Sequence, residues 1–125
     1  MHIDSVNFSH AIFKDAKFRC VIANNTVNFD YAEMQNIRLV YSNLASSTFN
    51  YPNLTRASTF SVRLSHASFH GATLRGANFH NANLTDADFT NAILDGATFE
   101  GADLSGAIWV DGKKCAANGP KGQCN

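Results

Sequence analysis

From Met34 to Trp109 the chain places a large core-type residue at every fifth position, with Thr59 the polar exception, and a small residue two places earlier. From Ser65 onward the pattern reads SHASF HGATL RGANF HNANL TDADF TNAIL DGATF EGADL SGAIW. The large positions there are Phe69, Leu74, Phe79, Leu84, Phe89, Leu94, Phe99, Leu104 and Trp109, and the small position is alanine throughout. A period of five fits neither a helix at 3.6 residues nor a strand at 2. It is the period of a structural repeat, which has to be recognised before any single element is assigned.

Counted backwards, the large position continues through Met34 and Phe29. It then slips by one residue and resumes at Ala23, Phe18, Phe13, Phe8 and Ile3. The slip falls in Asn24-Asn25-Thr26, a turn-prone triplet able to absorb one extra residue. The small position in this half is more varied and includes Val6, Val21, Ile37, Ser42, Pro52 and Val62.

The pattern A-[D/N]-[L/F]-x-x resembles the pentapeptide-repeat family, and it covers nearly the whole chain. The resemblance implies an all-β fold, a right-handed quadrilateral β-helix of about five to six coils. Each repeat would form one side of a square coil and four repeats one turn. Stacked at about 4.8 Å per layer, the rod would be on the order of 25 Å long. Residues 20 apart should then form columns, and they sort by type. Phe8, Phe29, Phe49, Phe69, Phe89 and Trp109 make an aromatic column once the slip is counted. Met34, Leu54, Leu74 and Leu94 make an aliphatic one, as do Leu44, Leu64, Leu84 and Leu104. Phe18, Leu39, Thr59, Phe79 and Phe99 are mixed. The expected organisation is a β-helix over 1–110 and a cap or tail over 111–125.

Formal net charge is zero. Bulk attraction to nucleic acid or to a membrane surface is not expected. No apolar run approaches the length of a membrane span, and no basic stretch followed by an apolar core marks a signal peptide. Cys115 and Cys124 lie in a Gly/Pro/Asn-rich tail after the last repeat. They read as a loop closed by a disulfide, against the alternative of two free thiols. A bridge would favour an extracytoplasmic setting, periplasmic or secreted. Trp109, Val110 and the tail are expected to cover the open edge of the last coil. Cys20 is left over at a corner.

Little in the chain suggests catalysis. His66 and His70 would lie on different sides of a coil, with His80 opposite His70, and no carboxylate or cysteine joins them at ligand spacing. Several of the acids occupy the slot before the core residue, where the resemblance implies a short polar side chain serving the turn backbone. The glycines at 71, 76, 96, 101 and 106 are corner residues, not a phosphate loop. No catalytic, cofactor or metal site is expected, and the chain is not expected to be an enzyme.

Two surface features remain. Between Met34 and Thr85 there are four arginines, Arg38, Arg56, Arg63 and Arg75, and no acid; from Asp86 to Asp111 there are six acids and no Lys or Arg. Either this is an ordinary solvated surface or it is a patch along the rod. Exposed apolar groups also gather in the degenerate half. Val40, Tyr41 and Phe60, with Arg38, fall on one side, and Tyr31 and Tyr51 near the next corner. Aromatic residues beside arginine are typical of contact sites. Alternatively, Phe60 turns inward in place of Thr59.

The leading expectation is a non-enzymatic protein-binding or structural scaffold whose partner is a protein rather than nucleic acid. The alternative comes from the resemblance. Some family members bind DNA gyrase by imitating a duplex and confer quinolone resistance. Those rods are generally acidic and dimerise through a C-terminal helix, neither of which this sequence offers.

Overall fold

A computed structural model describes residues 1–23 and 25–124. Each five-residue unit contributes one short extended segment and one turn, and the described residues contain no helix. The segments pair in parallel with those one coil away. Only two are long enough to count as strands, β1 (Lys17–Arg19) and β2 (Arg38–Val40), paired Lys17 to Arg38, Phe18 to Leu39 and Arg19 to Val40. The rest meet through single residues: Asn28 with Thr48, Thr48 with Ser68, Ser68 with Asp88, Asp88 with Ile108. Four repeats therefore close one coil.

The slip is visible in the register. Pairs that span the segment between Ile22 and Asn28 are 21 residues apart, as in Asn7 with Asn28, Ile12 with Glu33 and Ile22 with Asn43. Pairs clear of it, including His2 with Ile22, are 20 apart. The extra residue thus sits where the Asn24-Asn25-Thr26 triplet was expected to hold it, although Asn24 itself lies outside the described residues.

Two inward positions per repeat fill the lumen, and the columns form as the 20-residue spacing requires. Phe29, Phe49, Phe69 and Phe89 stack nearly parallel at 4.9, 5.0 and 5.1 Å between centroids. Phe79 and Phe99 do the same at 5.1 Å on another side. The coil rise sets this spacing, and it falls within the range of favourable aromatic pairs. Each turn brings one residue into the left-handed region. Glycine fills it at Gly76 and Gly96, but Tyr31, Tyr41, Tyr51 and Arg56 adopt it as well.

Many residues before the large position are Asn or Asp, and they serve the turns as expected. Asn53, Asn83, Asp88 and Asp103 each accept, through Oδ1, the backbone N–H two residues on. The ends differ. After Trp109 the chain doubles back, with Ile108 pairing antiparallel to Lys114. Cys115 N–H donates to Ala107 O and Gly122 N–H to Ala102 O, bonds that a further coil would otherwise make. Cys115 and Cys124 are joined, with Cα atoms 4.8 Å apart. The tail covers the sides carrying Leu104 and Ala107, whereas Leu94 and Phe99 on the other two sides stay half-buried. At the opposite end Ile3, Phe8, Phe13 and Phe18 of the first coil are half-buried.

Candidate functional site

Thr59, not Phe60, occupies the lumen. Its side chain is buried at 3% exposure, and its hydroxyl donates to Asn78 O at 3.0 Å. That bond satisfies the one polar group in its column, so no local bulge is needed and the inward alternative for Phe60 is overturned. Phe60 lies outside, half-buried, edge-on to the Tyr41 ring at 6.0 Å. The Arg19 guanidinium stands 5.4 Å from the centroid of the same ring, a cation–π distance. Val40 is half-buried on this side, and Arg38 is exposed at the start of β2. The free thiol of Cys20 is exposed beside them.

Tyr31 and Tyr51 form a second group. Their rings stack at 5.4 Å, and His10 stacks on Tyr31 at 5.1 Å. The column continues to Gly71, where a Cβ would collide with the Tyr51 ring, so the missing side chain makes room for the tyrosine to lie along the coil. His70 closes the group edge-on at 5.6 Å. Beside it, Asp30 Oδ1 accepts the Asn50 N–H at 2.8 Å, and the Ser68 hydroxyl donates to Asn50 Oδ1. Tyr31 and Tyr51 are about half exposed, at 53% and 51%, but their facing ring surfaces are used on one another.

The six residues singled out in the sequence are therefore not one patch. Arg38, Val40, Tyr41 and Phe60 come together. Tyr31 and Tyr51 do not join them. Ten residues, two sides of the four, separate Tyr31 from Tyr41, so the two tyrosine groups occupy diagonally opposed corners rather than adjacent ones. Three members were missed, His70 from the following coil among them. Arg19 and His10 belong to these groups from the preceding coil, and carrying the column count across the slip would have found them.

The arginines do not form a single basic patch. Arg38 and Arg63 lie on different sides, and Arg56 Nε donates to Asn36 Oδ1 at 2.9 Å. Arg75 reaches Asp95 at 3.4 Å, and His66 lies 3.7 Å from Asp86, so the basic middle and the acidic end of the rod are tied by contacts one coil apart. The acidity of Asp103 is tuned by its neighbours. Hydrogen bonds from the Ser105 side chain and from Lys121, then from the Ser105 backbone, lower its pKa to about 2. Lys121 Nζ lies 2.9 Å from its carboxylate and so ties the tail to the last coil. Among the described residues no group of three or more His, Cys, Asp or Glu could hold a metal ion, and no helix is long and apolar enough to cross a membrane.

The profile of a family described as pentapeptide repeats (9 copies) matches residues 64–108. No curated protein matches the sequence. Among solved structures, a pentapeptide-repeat protein (Rfr23) from the cyanobacterium Cyanothece 51142 aligns with TM-score 0.63 at 20% identity, over 86% of this chain and 84% of that one. QnrB1, a plasmid-mediated fluoroquinolone resistance protein, aligns with TM-score 0.50 at 22% identity, over 85% of this chain and 61% of its own. HetL, from the cyanobacterium Nostoc sp. strain PCC 7120 and involved in heterocyst differentiation regulation, shares 26% identity over 90% of this chain, with TM-score 0.47. This chain spans 57% of HetL's length. At these identities the likeness to Rfr23 and QnrB1 is one of fold. Residues 64–108 thus match the pentapeptide-repeat profile over the most regular coils, and the same parallel pairing one coil apart continues through the N-terminal half.

Proposed function

We propose that this chain is a non-enzymatic scaffold that docks a protein partner on the corner built by Arg19, Arg38, Val40, Tyr41 and Phe60. The rod itself we read as a right-handed quadrilateral coil of about five to six turns over 1–110, closed by a cap over 111–125. The observation that carries the docking site is the outward pair Tyr41 and Phe60. Further along the same columns Tyr41 is followed by Ser61, Asn81 and Gly101, and Phe60 by His80 and Glu100. Folding alone therefore does not ask for aromatic residues there. Packed on each other and flanked by arginines, they have the chemistry of an interface anchor. Tyr31 and Tyr51 form a separate contact on the opposite corner. The imitation of a DNA duplex is less well supported, because zero net charge and four arginines in the middle of the rod oppose it. The Cys115–Cys124 disulfide supports an oxidising, extracytoplasmic setting.

Capture experiments with the parent protein and the Tyr41→Ala/Phe60→Ala variant test the reading. The partner, identified by mass spectrometry, should bind the variant weaker by about 2 kcal/mol or more, with the melting temperature nearly unchanged. A large loss of stability with unchanged binding would assign both rings to the fold and remove the site.

A further inference from the structure

The arginines divide by what their side chains meet. Arg56 donates to Asn36 and Arg75 meets Asp95, each one coil away. Among the described residues Arg38 and Arg63 have no ion pair or side-chain hydrogen bond, and the Arg19 guanidinium meets only the Tyr41 ring. Arg19, Arg38 and Arg63 flank one corner. Arg19 and Arg38, with Lys17, stand on the side before Tyr41, and Arg63 stands on the side after it. All four cations are exposed. The segments that build this corner, 16–22, 38–43 and 58–63, hold these cations and no acid. Tyr41, Ser61 and Arg63 also line a shallow groove with Ile22, Ser42 and Asn43. The opposed corner has the other sign. Segments 28–33, 48–53 and 68–73 place Asp30 and Glu33 beside Tyr31 and Tyr51, with no Lys or Arg.

We propose, building on the docking reading above, that the Tyr41 corner takes an acidic segment of its partner, a run of carboxylates carrying one apolar side chain. The positive charge of Lys17, Arg19, Arg38 and Arg63 is unmatched among the described residues, so the complementary surface is acidic. These cations are spread over two sides and three coils. That spread suits several carboxylates in a row rather than a single phosphate. The groove between Tyr41 and Arg63, bounded by Ile22, takes the apolar side chain. A nucleic-acid backbone would need the positive track to continue along the rod, and it does not. Arg38 is followed in its column by Ser58 and Asn78, Phe60 by His80 and Glu100, and Arg63 by Asn83 and Asp103. Sign also selects the corner. Asp30 and Glu33 repel an acidic segment from Tyr31 and Tyr51, so ring area alone does not decide where it docks.

Fluorescence anisotropy on the full chain tests this with a labelled peptide of glutamates around one phenylalanine. It should bind at least about tenfold tighter than the same peptide with glutamine for glutamate, since several exposed charge pairs add up. Amide chemical shifts should move at Tyr41 and Ser61, not at Tyr31 and Tyr51. Raising the salt from about 0.05 M to about 0.5 M should weaken binding severalfold. Arg19→Glu/Arg38→Glu should reduce it to the level of the glutamine peptide. Should that variant fail to fold, Arg63→Glu on the neighbouring side decides. Equal binding of the two peptides, with Tyr41→Ala/Phe60→Ala still weakening both, overturns the acidic segment and leaves the corner as a docking site. Indifference of both peptides to Tyr41→Ala/Phe60→Ala removes the corner, and the acidic segment with it. Shifts confined to Tyr31 and Tyr51, no measurable binding of the glutamate peptide, or a single-stranded oligonucleotide that binds the corner tighter than the peptide also overturns the proposal.

Discussion

The coils over 64–108 and those before them are built on one backbone and differ in what stands at their corners. Both keep a 20-residue register away from the slip, and both send two residues of every five into the lumen. In the regular coils the left-handed corner is filled by Gly71, Gly76, Asn81, Asp86, Asn91, Gly96, Gly101 and Gly106, with His66 the exception. Those are residues for which a positive φ costs least. Earlier corners include Asp15 and Asn36 and three serines, but also His10, Cys20, Tyr31, Tyr41, Tyr51 and Arg56. The last six each pay on the order of 1 kcal/mol of backbone strain that a glycine would not. The difference teaches that the fold constrains the lumen strictly and the corners loosely. Side chains that could make contacts accumulate where the fold tolerates them, and both aromatic groups stand in the earlier half.

The sharpest break of this comparison is between lumen and surface. Leu84 is fully buried and Thr85 is not. Leu84→Asp should abolish folding or cost several kcal/mol, because a charge in the closed column finds no partner. Thr85→Asp should change the melting temperature little. Equal tolerance at both positions would mean that the inward register is misassigned.

The cap comes next. Reducing the Cys115–Cys124 bridge should cost roughly 2–3 kcal/mol and lower the melting temperature modestly, because the coils remain stacked without it. Peptide mapping without reductant should find the bridge as a loss of two hydrogens within one C-terminal peptide, and two alkylatable thiols there would refute it.

A smaller effect bears on the corners directly. Gly96→Ala adds a Cβ 3.6 Å from the Gly76 backbone nitrogen, which is ordinary contact, so its cost of about 1 kcal/mol should come from the positive φ alone. Ser61→Gly, at φ 56°, should be neutral or stabilising by less than about 1 kcal/mol. Chemical denaturation of the two variants measures both, and the comparison fails if they move stability in the same direction by the same amount.

The smallest expected effect is the acid response of the tail. The folded-state pKa of Asp103, about 2, lies below its ordinary value. Its carboxylate therefore contributes stability in full above about pH 4, and this is lost as the pH falls through about 2. Asp103→Asn should flatten that part of the pH dependence of melting. An unchanged acid profile would show that the contact with Lys121 does not hold the tail.

What the sequence determined by itself follows from the narrowness of the lumen. A column one residue wide accepts only a large and a small side chain in turn, so the period of five, the sorting of Phe from Leu by column and the position of the slip could all be read before any coordinates. The cysteine pairing was also legible, because Cys115 and Cys124 are nine apart in a turn-rich tail beyond the last repeat. Tertiary structure alone decided what depends on neighbours around and along the coil. It put Thr59 inside, because a carbonyl of the next coil accepts its hydroxyl. It placed Arg19 over Tyr41, because β1 stacks beneath β2. It separated Tyr31 and Tyr51 from Tyr41 by two sides of the coil. And it laid the tail over the sides carrying Leu104 and Ala107 while Leu94 and Phe99 stayed half-buried, because end coils owe their burial to whatever lies beyond the repeat, which the period itself does not encode.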